Sequence, residues 1–267
     1  MKSFIKKLTG RLQTTADPAG EEQLCPLPRR LDISSLGRVQ VFAPHPDDEA
    51  IGCGGLLKLL TNQGHDVEVV LVTDGSGAGG LPDGAAAIRQ QEFIASLTEL
   101  GISNFSTMNQ PDGAIEIATP LQAALLKRVA TFKPDTVIMP SILDLHRDHR
   151  RIATMLTDIV RQVPSVKLQL QFEVWCPLPA THIVDITGVA TNKWRAISRH
   201  ATALTCGNYL SASMGLAQYR GLLLGQVGDA ALAEAYLVEP VNHQPGSVKH
   251  WLHSTSQNML RLLTQAR

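Results

Sequence analysis

One stretch of sequence decides the fold: Val39-Gln40-Val41-Phe42-Ala43-Pro44-His45-Pro46-Asp47-Asp48-Glu49-Ala50-Ile51-Gly52. Its first, mostly apolar residues predict a strand, its two prolines a sharp turn, and the small and apolar residues after the turn a helix. The turn carries one histidine and three carboxylates. Because open α/β sheets bind ligands at the carboxyl ends of their strands, we expect this charged turn to line a functional site.

Strands and helices alternate from about residue 38 onward. The pattern predicts strands at residues 39–42, 67–73 and 136–139, and helices at residues 49–63, 85–100, 121–132 and 150–163. Such alternation is typical of βαβ units in a mostly parallel sheet. Beyond residue 164 the pattern predicts strands at a sheet edge, at 167–174 and 182–186, and helices at 192–202, 213–223 and 247–263.

Composition narrows the class of protein. The 267 residues contain 24 basic and 24 acidic side chains, and this zero net charge argues against nucleic-acid binding. The four cysteines form no Cys-x-x-Cys pair, which predicts a cytoplasmic protein without a disulfide framework. Residues 1–36 are predicted to be a lead-in. Its first 12 residues are basic and amphipathic, so they fit either a packed helix or a helix on the inner face of a membrane.

A second polar cluster, Asp144-Leu145-His146-Arg147-Asp148-His149, follows the predicted strand at 136–139 and precedes a predicted helix. If the two strands are neighbours, both clusters converge on one cleft. His45, Asp48 and His149 then offer two imidazoles and one carboxylate, the usual protein ligands of a catalytic zinc site with an open fourth position.

Several residues remain after these three ligands are counted. Asp47 and Asp48 point in different directions if the backbone is extended, so Asp47 can face the reacting water. His146 lies near the metal, and Asp148 is expected to orient His146 and raise its pKa. Each cluster also has a simpler explanation, since Asp and Pro form turns and acidic residues favour helix N-termini.

The two clusters resemble the signatures of one family, the PIG-L/LmbE-like de-N-acetylases. His45-Pro46-Asp47-Asp48-Glu49 is similar to its first motif and His146-x-Asp148-His149 to its second; further matching segments are Thr73-Asp74-Gly75, Arg89-x-x-Glu92 and Pro111-Asp112-Gly113. The likeness covers about residues 38–160 and is loose beyond them. Arg147 is a departure, because many relatives carry proline at that position.

The resemblance implies a Rossmann-like, three-layer α/β fold with a mostly parallel sheet and a C-terminal α/β elaboration. It divides a single domain, residues 37–267, into a metal-site core at about 38–160 and a substrate-shaping part at about 165–267. His45, Asp48 and His149 would hold Zn²⁺, with Fe²⁺ or another divalent metal as alternatives. Asp47 would be the general base and His146, backed by Asp148, would assist the transition state. Arg89 and Asp112 are candidates for substrate binding.

The implied activity is removal of the N-acetyl group from a small or lipid-linked N-acetylglucosamine-type substrate by a zinc-bound water. Alternatives are an amidase for a longer acyl amide or a thiol-sugar conjugate, and a non-catalytic metal- or carbohydrate-binding module. Two histidines and a carboxylate are also the ligands of non-haem iron oxygenases. Asp47, which is not needed as a metal ligand, favours a hydrolase over a binding module or an iron oxygenase. The sequence does not indicate the particular sugar, the pathway or the oligomeric state.

Overall fold

The computed structural model describes residues 27–77, 81, 84–225 and 231–241. These residues form eight strands: β1 (Arg29–Arg30), β2 (Val39–Ala43), β3 (Val67–Thr73), β4 (Phe105–Gln110), β5 (Thr136–Pro140), β6 (Leu168–Phe172), β7 (His182–Asp185) and β8 (Ala233–Pro240). They also form seven α-helices: α1 (Asp48–Asn62), α2 (Ala85–Leu100), α3 (Thr119–Phe132), α4 (Arg147–Val160), α5 (Ala190–Arg199), α6 (Ala201–Cys206) and α7 (Tyr209–Gly221).

The strands form one sheet in the order β1-β7-β8-β6-β5-β2-β3-β4. Every neighbouring pair is parallel except the two that involve β8, which runs antiparallel to β6 and β7. The mostly parallel α/β sheet predicted from the sequence is confirmed. The prediction that the strands near residues 170 and 184 lie at a sheet edge is wrong, because β8 pairs with both and β1 pairs with the free side of β7.

Helices cover both faces of the sheet and give a three-layer arrangement. Along β2, Val41 packs into a core with α1, α2 and α5, whereas Phe42 packs into a core with α3 and α4. Successive side chains of a strand point to opposite faces, so a central strand covered on both sides is mostly apolar. Buried β2, β3 and β5 fit this pattern, and two of their polar side chains are paired, because Gln40 donates to the carboxylate of Glu68 at 2.7 Å.

Helix boundaries differ from the predicted ones mainly around the second polar cluster. The predicted helix at 150–163 instead spans Arg147–Val160, because the side chain of His146 accepts a hydrogen bond from the backbone N–H of Asp148 and caps the helix. The predicted helix at 192–202 is divided at His200, where one helix ends and another begins. The predicted strand at 67–73 and helix at 85–100 are confirmed to the residue.

The N-terminal lead-in is only partly within the described residues. Arg29 and Arg30 pair with His182 and Ile183, so this part of the lead-in adds the edge strand of the sheet. The amphipathic segment at residues 1–12 and the predicted helix at 247–263 lie outside the described residues. No described helix is long and apolar enough to cross a membrane.

Helix α1 is broken at Cys53, and a buried ion pair bridges the break. Cys53 has non-helical backbone angles. Glu234 on β8 accepts hydrogen bonds from the N–H groups of Gly55 and Leu56, and Lys193 donates to the carbonyl of Ile51 at 2.8 Å. Lys193 Nζ lies 2.6 Å from Glu234 Oε1, and both side chains are buried. The pair therefore satisfies the donors and the acceptor that the break leaves open.

We expect Glu234→Gln to lower the free energy of unfolding by about 3 kcal/mol, because it leaves the buried ammonium of Lys193 without its counter-charge. Chemical denaturation of the variant and the parent protein measures this loss. Glu116→Gln, at an exposed position, is the matched control and should change stability by less than about 0.5 kcal/mol. Parent-like stability of Glu234→Gln would show that the ion pair is not needed to hold the break.

Candidate metal and catalytic site

The two polar clusters meet at one edge of the sheet. Strands β2 and β5 are parallel neighbours, with Val41 opposite Ile138, so the turns that follow them lie side by side. The chain extends from β2 toward β3 on one side and from β5 toward β6 on the other. Such a change of direction opens a crevice at the carboxyl ends of the strands. The convergence predicted from the sequence is confirmed.

Three side chains point their polar atoms at one another in this crevice. Asp48 Oδ2 lies 3.1 Å from His45 Nδ1 and 3.1 Å from His149 Nε2, and the two histidine nitrogens are 3.2 Å apart. All three side chains are buried. They are the three residues predicted to be metal ligands.

These distances fit a metal ion. Ligands about 2.0–2.1 Å from a tetrahedral Zn²⁺ lie about 3.3–3.4 Å from one another. Although burial lowers the pKa of His149, the carboxylates of Asp48 and Asp144 raise it to about 9. The site thus favours positive charge strongly. A divalent cation would supply that charge and leave both imidazoles neutral, as ligation requires.

Carboxylates lie behind both histidines. His149 Nδ1 is 3.2 Å from Asp144 Oδ2, while His45 Nε2 is 3.1 Å from Asp112 Oδ1 and 3.5 Å from Asp148 Oδ2. Such partners fix the orientation of a ligating histidine and raise its basicity. The sequence does not predict this role for Asp144, although that residue lies in the same motif as His149.

Other ligand sets are available nearby. Ring nitrogens of His45, His146 and His149 lie within 4.8 Å of one another, as do atoms of His45, Asp112 and Asp148. The triangle that includes Asp48 is tighter, at 3.1–3.2 Å on every side. We therefore favour it as the metal-holding set, with His146 beside it.

Asp47 is held next to this triangle in a strained conformation. Its φ of 134° lies in a region that residues other than glycine rarely adopt. Its N–H donates to Glu49 Oε2 at 3.1 Å, and the guanidinium of Arg89 donates to the carbonyl of Pro46 at 3.0 Å. Burial and the charge of Asp48 raise the pKa of Asp47 to about 7. In this conformation the side chain of Asp47 lines the crevice beside the metal-holding set.

Glu49 supports Asp47 from behind and is fully buried. One of its carboxylate oxygens accepts a hydrogen bond from the hydroxyl of Ser96 at 2.7 Å and lies 2.9 Å from His200 Nε2. Glu49 raises the pKa of His200 against the opposing effect of burial. His200 is absent from the sequence-based site, because it comes from a distant helix junction that carries no motif.

Arg89 and Asp112, the predicted substrate-binding residues, both line the catalytic cleft. Arg89 is only 3% exposed, and its guanidinium donates to the carbonyl of Gly75 at 2.7 Å as well as to Pro46. It also lies 3.5 Å from the carboxylates of Asp47 and Asp112. These two bonds tie the turn that carries Asp47 to the turn that follows β3.

The expected pairing of Asp148 with His146 is wrong in detail. The carboxylate of Asp148 accepts a hydrogen bond from the N–H of Gly113 at 2.8 Å and faces His45, while only its backbone N–H contacts His146. Burial and the neighbouring His45 and His149 lower the pKa of His146, so the carboxylate does not raise it above its ordinary value. Because His146 Nδ1 accepts from a backbone N–H, the ring proton belongs on Nε2.

The catalytic cleft encloses about 290 Å³ next to these groups. Its far wall contains Trp175 and Tyr209, whose rings meet edge to face with centroids 5.6 Å apart. Trp175 is 46% exposed, so it is available to a ligand. Trp194, by contrast, packs against the hydrophobic core.

Comparison with known proteins agrees with the geometry. Residues 40–160 match the model of the PIG-L family, described as GlcNAc-PI de-N-acetylase. Over this stretch, which is somewhat less than half of the chain, the protein is similar to the PIG-L/LmbE-like de-N-acetylases. The matched residues include both polar clusters and therefore all three members of the metal-holding set.

Two curated relatives extend the PIG-L match. A diacetylchitobiose deacetylase of Thermococcus kodakarensis is 27% identical over 191 residues, which are 63% of this chain and 70% of the relative. A probable N-acetyl-α-D-glucosaminyl L-malate deacetylase 2 of Bacillus cereus is 27% identical over 166 residues, 56% of this chain and 68% of the relative.

Two solved structures share this α/β fold. The N,N′-diacetylchitobiose deacetylase of Pyrococcus horikoshii superimposes with a TM-score of 0.68 at 22% identity, over 92% of this chain and 95% of that one. The conserved protein TT1542 of Thermus thermophilus gives 0.66 at 22% identity, over 78% and 98%. The Rossmann-like α/β class predicted from the family resemblance is confirmed.

Arg147, which departs from the family motif, contacts the loop that carries Asp112. Arg147 is the first residue of α4, and its guanidinium donates to the carbonyl of Gly113. Gly113 lines the cleft and donates its own N–H to Asp148. Arg147 therefore ties the second motif to the loop that carries Asp112.

Proposed function

We propose that this protein is a metal-dependent hydrolase that removes the N-acetyl group from an N-acetylglucosamine-type sugar or glycoconjugate. The observation that carries the proposal is the buried triangle of His45, Asp48 and His149 with the strained Asp47 beside it. The family match and the names of the curated relatives, which are deacetylases of N-acetylglucosamine-containing compounds, support the same reaction.

His45, Asp48 and His149 would hold the metal. A divalent ion bound there would polarise the amide carbonyl and make a water molecule more acidic. Two imidazoles and one carboxylate are the donors of many catalytic zinc sites, so we propose Zn²⁺, with Fe²⁺ compatible with the same set. The carboxylates of Asp144 and Asp112 would keep the two histidines oriented.

Asp47 would act as the general base. Its carboxylate would accept the proton of the water that attacks the amide carbonyl. Two features hold this carboxylate ready: the positive φ at Asp47 and the hydrogen bonds from Arg89 to the carbonyl of the preceding Pro46 and to that of Gly75 after β3. Arg89 would therefore position the base, and a direct contact with substrate is not needed for that role.

His146 would donate a hydrogen bond to the oxygen that gains negative charge in the transition state. Its lowered pKa favours the neutral ring, and the bond that Nδ1 accepts leaves the proton on Nε2. A preorganised donor of this kind contributes about 3–4 kcal/mol in related chemistry. Asp148, which faces His45, would act on the metal-holding set instead of on His146.

An acetate-release screen tests the proposed activity. We expect the metal-loaded protein to release acetate from at least one member of a panel of methyl N-acetylglucosaminide, N,N′-diacetylchitobiose, N-acetylglucosaminyl malate and an N-acetylglucosaminyl phospholipid. Acetate and the free amine should appear in equal amounts. Absence of amine from every member, with stoichiometric metal in the protein, would contradict the proposed reaction and favour a binding module.

A further inference from the structure

A second cavity adjoins the catalytic cleft. It encloses about 340 Å³ between the loop after β6, the helix α7 and the strand β8. We call it the side chamber. The side chamber and the catalytic cleft share five lining residues: Ile51, Val174, Trp175, Cys206 and Tyr209. The two cavities are therefore adjacent, and only these shared side chains lie between a ligand in the cleft and the side chamber.

The exposed lining of the side chamber is mainly apolar. It is made by the aliphatic side chains of Ile51, Val174 and Leu216 together with alanines of α7 and β8, which are Ala212, Ala217, Ala233 and Ala235. Trp175 and Tyr209 line both cavities, and their rings meet edge to face. Cavities with this lining bind apolar groups.

The charged side chains of the lining are each paired with an oppositely charged neighbour. Lys193 is paired with Glu234, which also accepts hydrogen bonds from two backbone N–H groups and from the hydroxyl of Tyr236. Glu173 is paired with Arg220 and accepts from the N–H of Leu178. These four side chains are at most 8% exposed. They offer a ligand little free charge, so the chamber selects against a polar group.

We propose that the side chamber is a subsite for an alkyl or aryl group that the substrate carries beside its reacting amide. The inference rests on the proposed function, and it narrows the substrate from a bare amino sugar to one with an apolar substituent. Two positions on such a substrate can supply that group: the acyl chain on nitrogen and the aglycone at the anomeric carbon. The chemistry that the chamber recognises is the same for both.

Burial of apolar carbon sets the size of the expected effect. A fully buried methylene contributes about 0.8 kcal/mol, which corresponds to about a fourfold increase in kcat/KM for each carbon that enters the chamber. A six-carbon chain that inserts four methylenes should raise kcat/KM by about 100-fold or more over its short counterpart. An alkyl chain left in solvent should change kcat/KM little.

The experiment has two kinetic arms, both followed by release of the free amine from the metal-loaded enzyme. The aglycone arm compares hexyl with methyl N-acetylglucosaminide, and the acyl arm compares N-hexanoyl with N-acetylglucosamine. We expect the longer compound to be the better substrate in at least one arm. Equal or lower kcat/KM for the longer compound in both arms would overturn the proposal.

A filling variant tests the location. Ala212 lines the chamber from an exposed position of α7, so Ala212→Phe should fill the chamber without disturbing the core. It should remove the advantage of the hexyl or hexanoyl compound and leave the short substrates unchanged. Gln218→Phe, on the same helix but outside the lining, is the control and should behave as the parent. An advantage that survives Ala212→Phe would place the apolar group elsewhere.

A binding measurement separates this inference from the proposed reaction. Calorimetry with hexyl and methyl glucosaminide, and with hexanoate and acetate, needs no turnover. We expect at least one longer compound to bind at least tenfold more tightly to the parent than to Ala212→Phe. If that difference is found while no amide is hydrolysed, the subsite stands and the proposed reaction fails. If hydrolysis occurs without any such difference in binding or kinetics, the subsite fails alone.

Discussion

Replacing His149 by alanine is expected to strip the metal from the purified protein. The imidazole of His149 supplies one corner of the buried triangle, and Asp48 and His45 alone would leave two protein ligands. A catalytic metal site normally has three. Because loss of a mere supporting residue already costs 10–100-fold in metal affinity, loss of a ligand should cost more than about 100-fold.

Elemental analysis after exhaustive dialysis measures this loss for His149→Ala. His182→Ala, which removes a histidine on β7 far along the sheet from the cleft, is the control and should retain a full equivalent of metal. Circular dichroism should show that both variants remain folded. A folded His149→Ala protein that still holds one equivalent of metal at parent affinity would refute the assignment of this ligand.

Asp47→Asn is expected to keep its metal and lose about 10²- to 10⁴-fold in kcat, the usual contribution of a positioned acid or base. The amide has nearly the shape of the carboxylate but cannot accept the proton of the attacking water. Since Asp48, not Asp47, lies in the triangle, metal content should stay stoichiometric. Steady-state release of acetate and elemental analysis on the same preparation measure both quantities.

The matched control for Asp47→Asn is Asp158→Asn, which removes a carboxylate from α4 outside the cleft. It should retain parent activity. Activity of Asp47→Asn within a few-fold of the parent would show that another group takes the proton. Loss of metal together with activity would show instead that Asp47 belongs to the metal-holding set.

Much of the fold follows from local sequence. Strand β3 is rich in β-branched residues and has four consecutive apolar ones, Val69–Val72, and the helix at 85–100 ends at Gly101, whose φ of 80° suits a glycine cap. Strand β8 could not be recognised in this way. Glu234 interrupts its apolar run, and that glutamate is tolerated in the interior only because α1 is broken opposite it and Lys193 lies beside it.

The candidate site is also only partly predictable from local sequence. The candidate metal ligands His45, Asp48 and His149 stand in two short motifs, each in the segment between a strand and the helix that follows it, so their spacing brought them out as candidates. The supporting contacts depend on tertiary packing. Glu49 meets His200 from a distant helix junction, and the carboxylate of Asp148 turns to His45 because Gly113 supplies its hydrogen bond. No sequence pattern encodes such encounters.

The most direct test of the central claim is metal-dependent release of acetate. The parent protein, stripped with a chelator, should release none from its best N-acetylglucosaminyl substrate. Adding one equivalent of Zn²⁺ or Fe²⁺ should restore hydrolysis, with acetate and free amine formed one to one. Undiminished acetate release from verified metal-free protein would contradict the account, as would a metal-loaded protein that binds these sugars and never cleaves their amide.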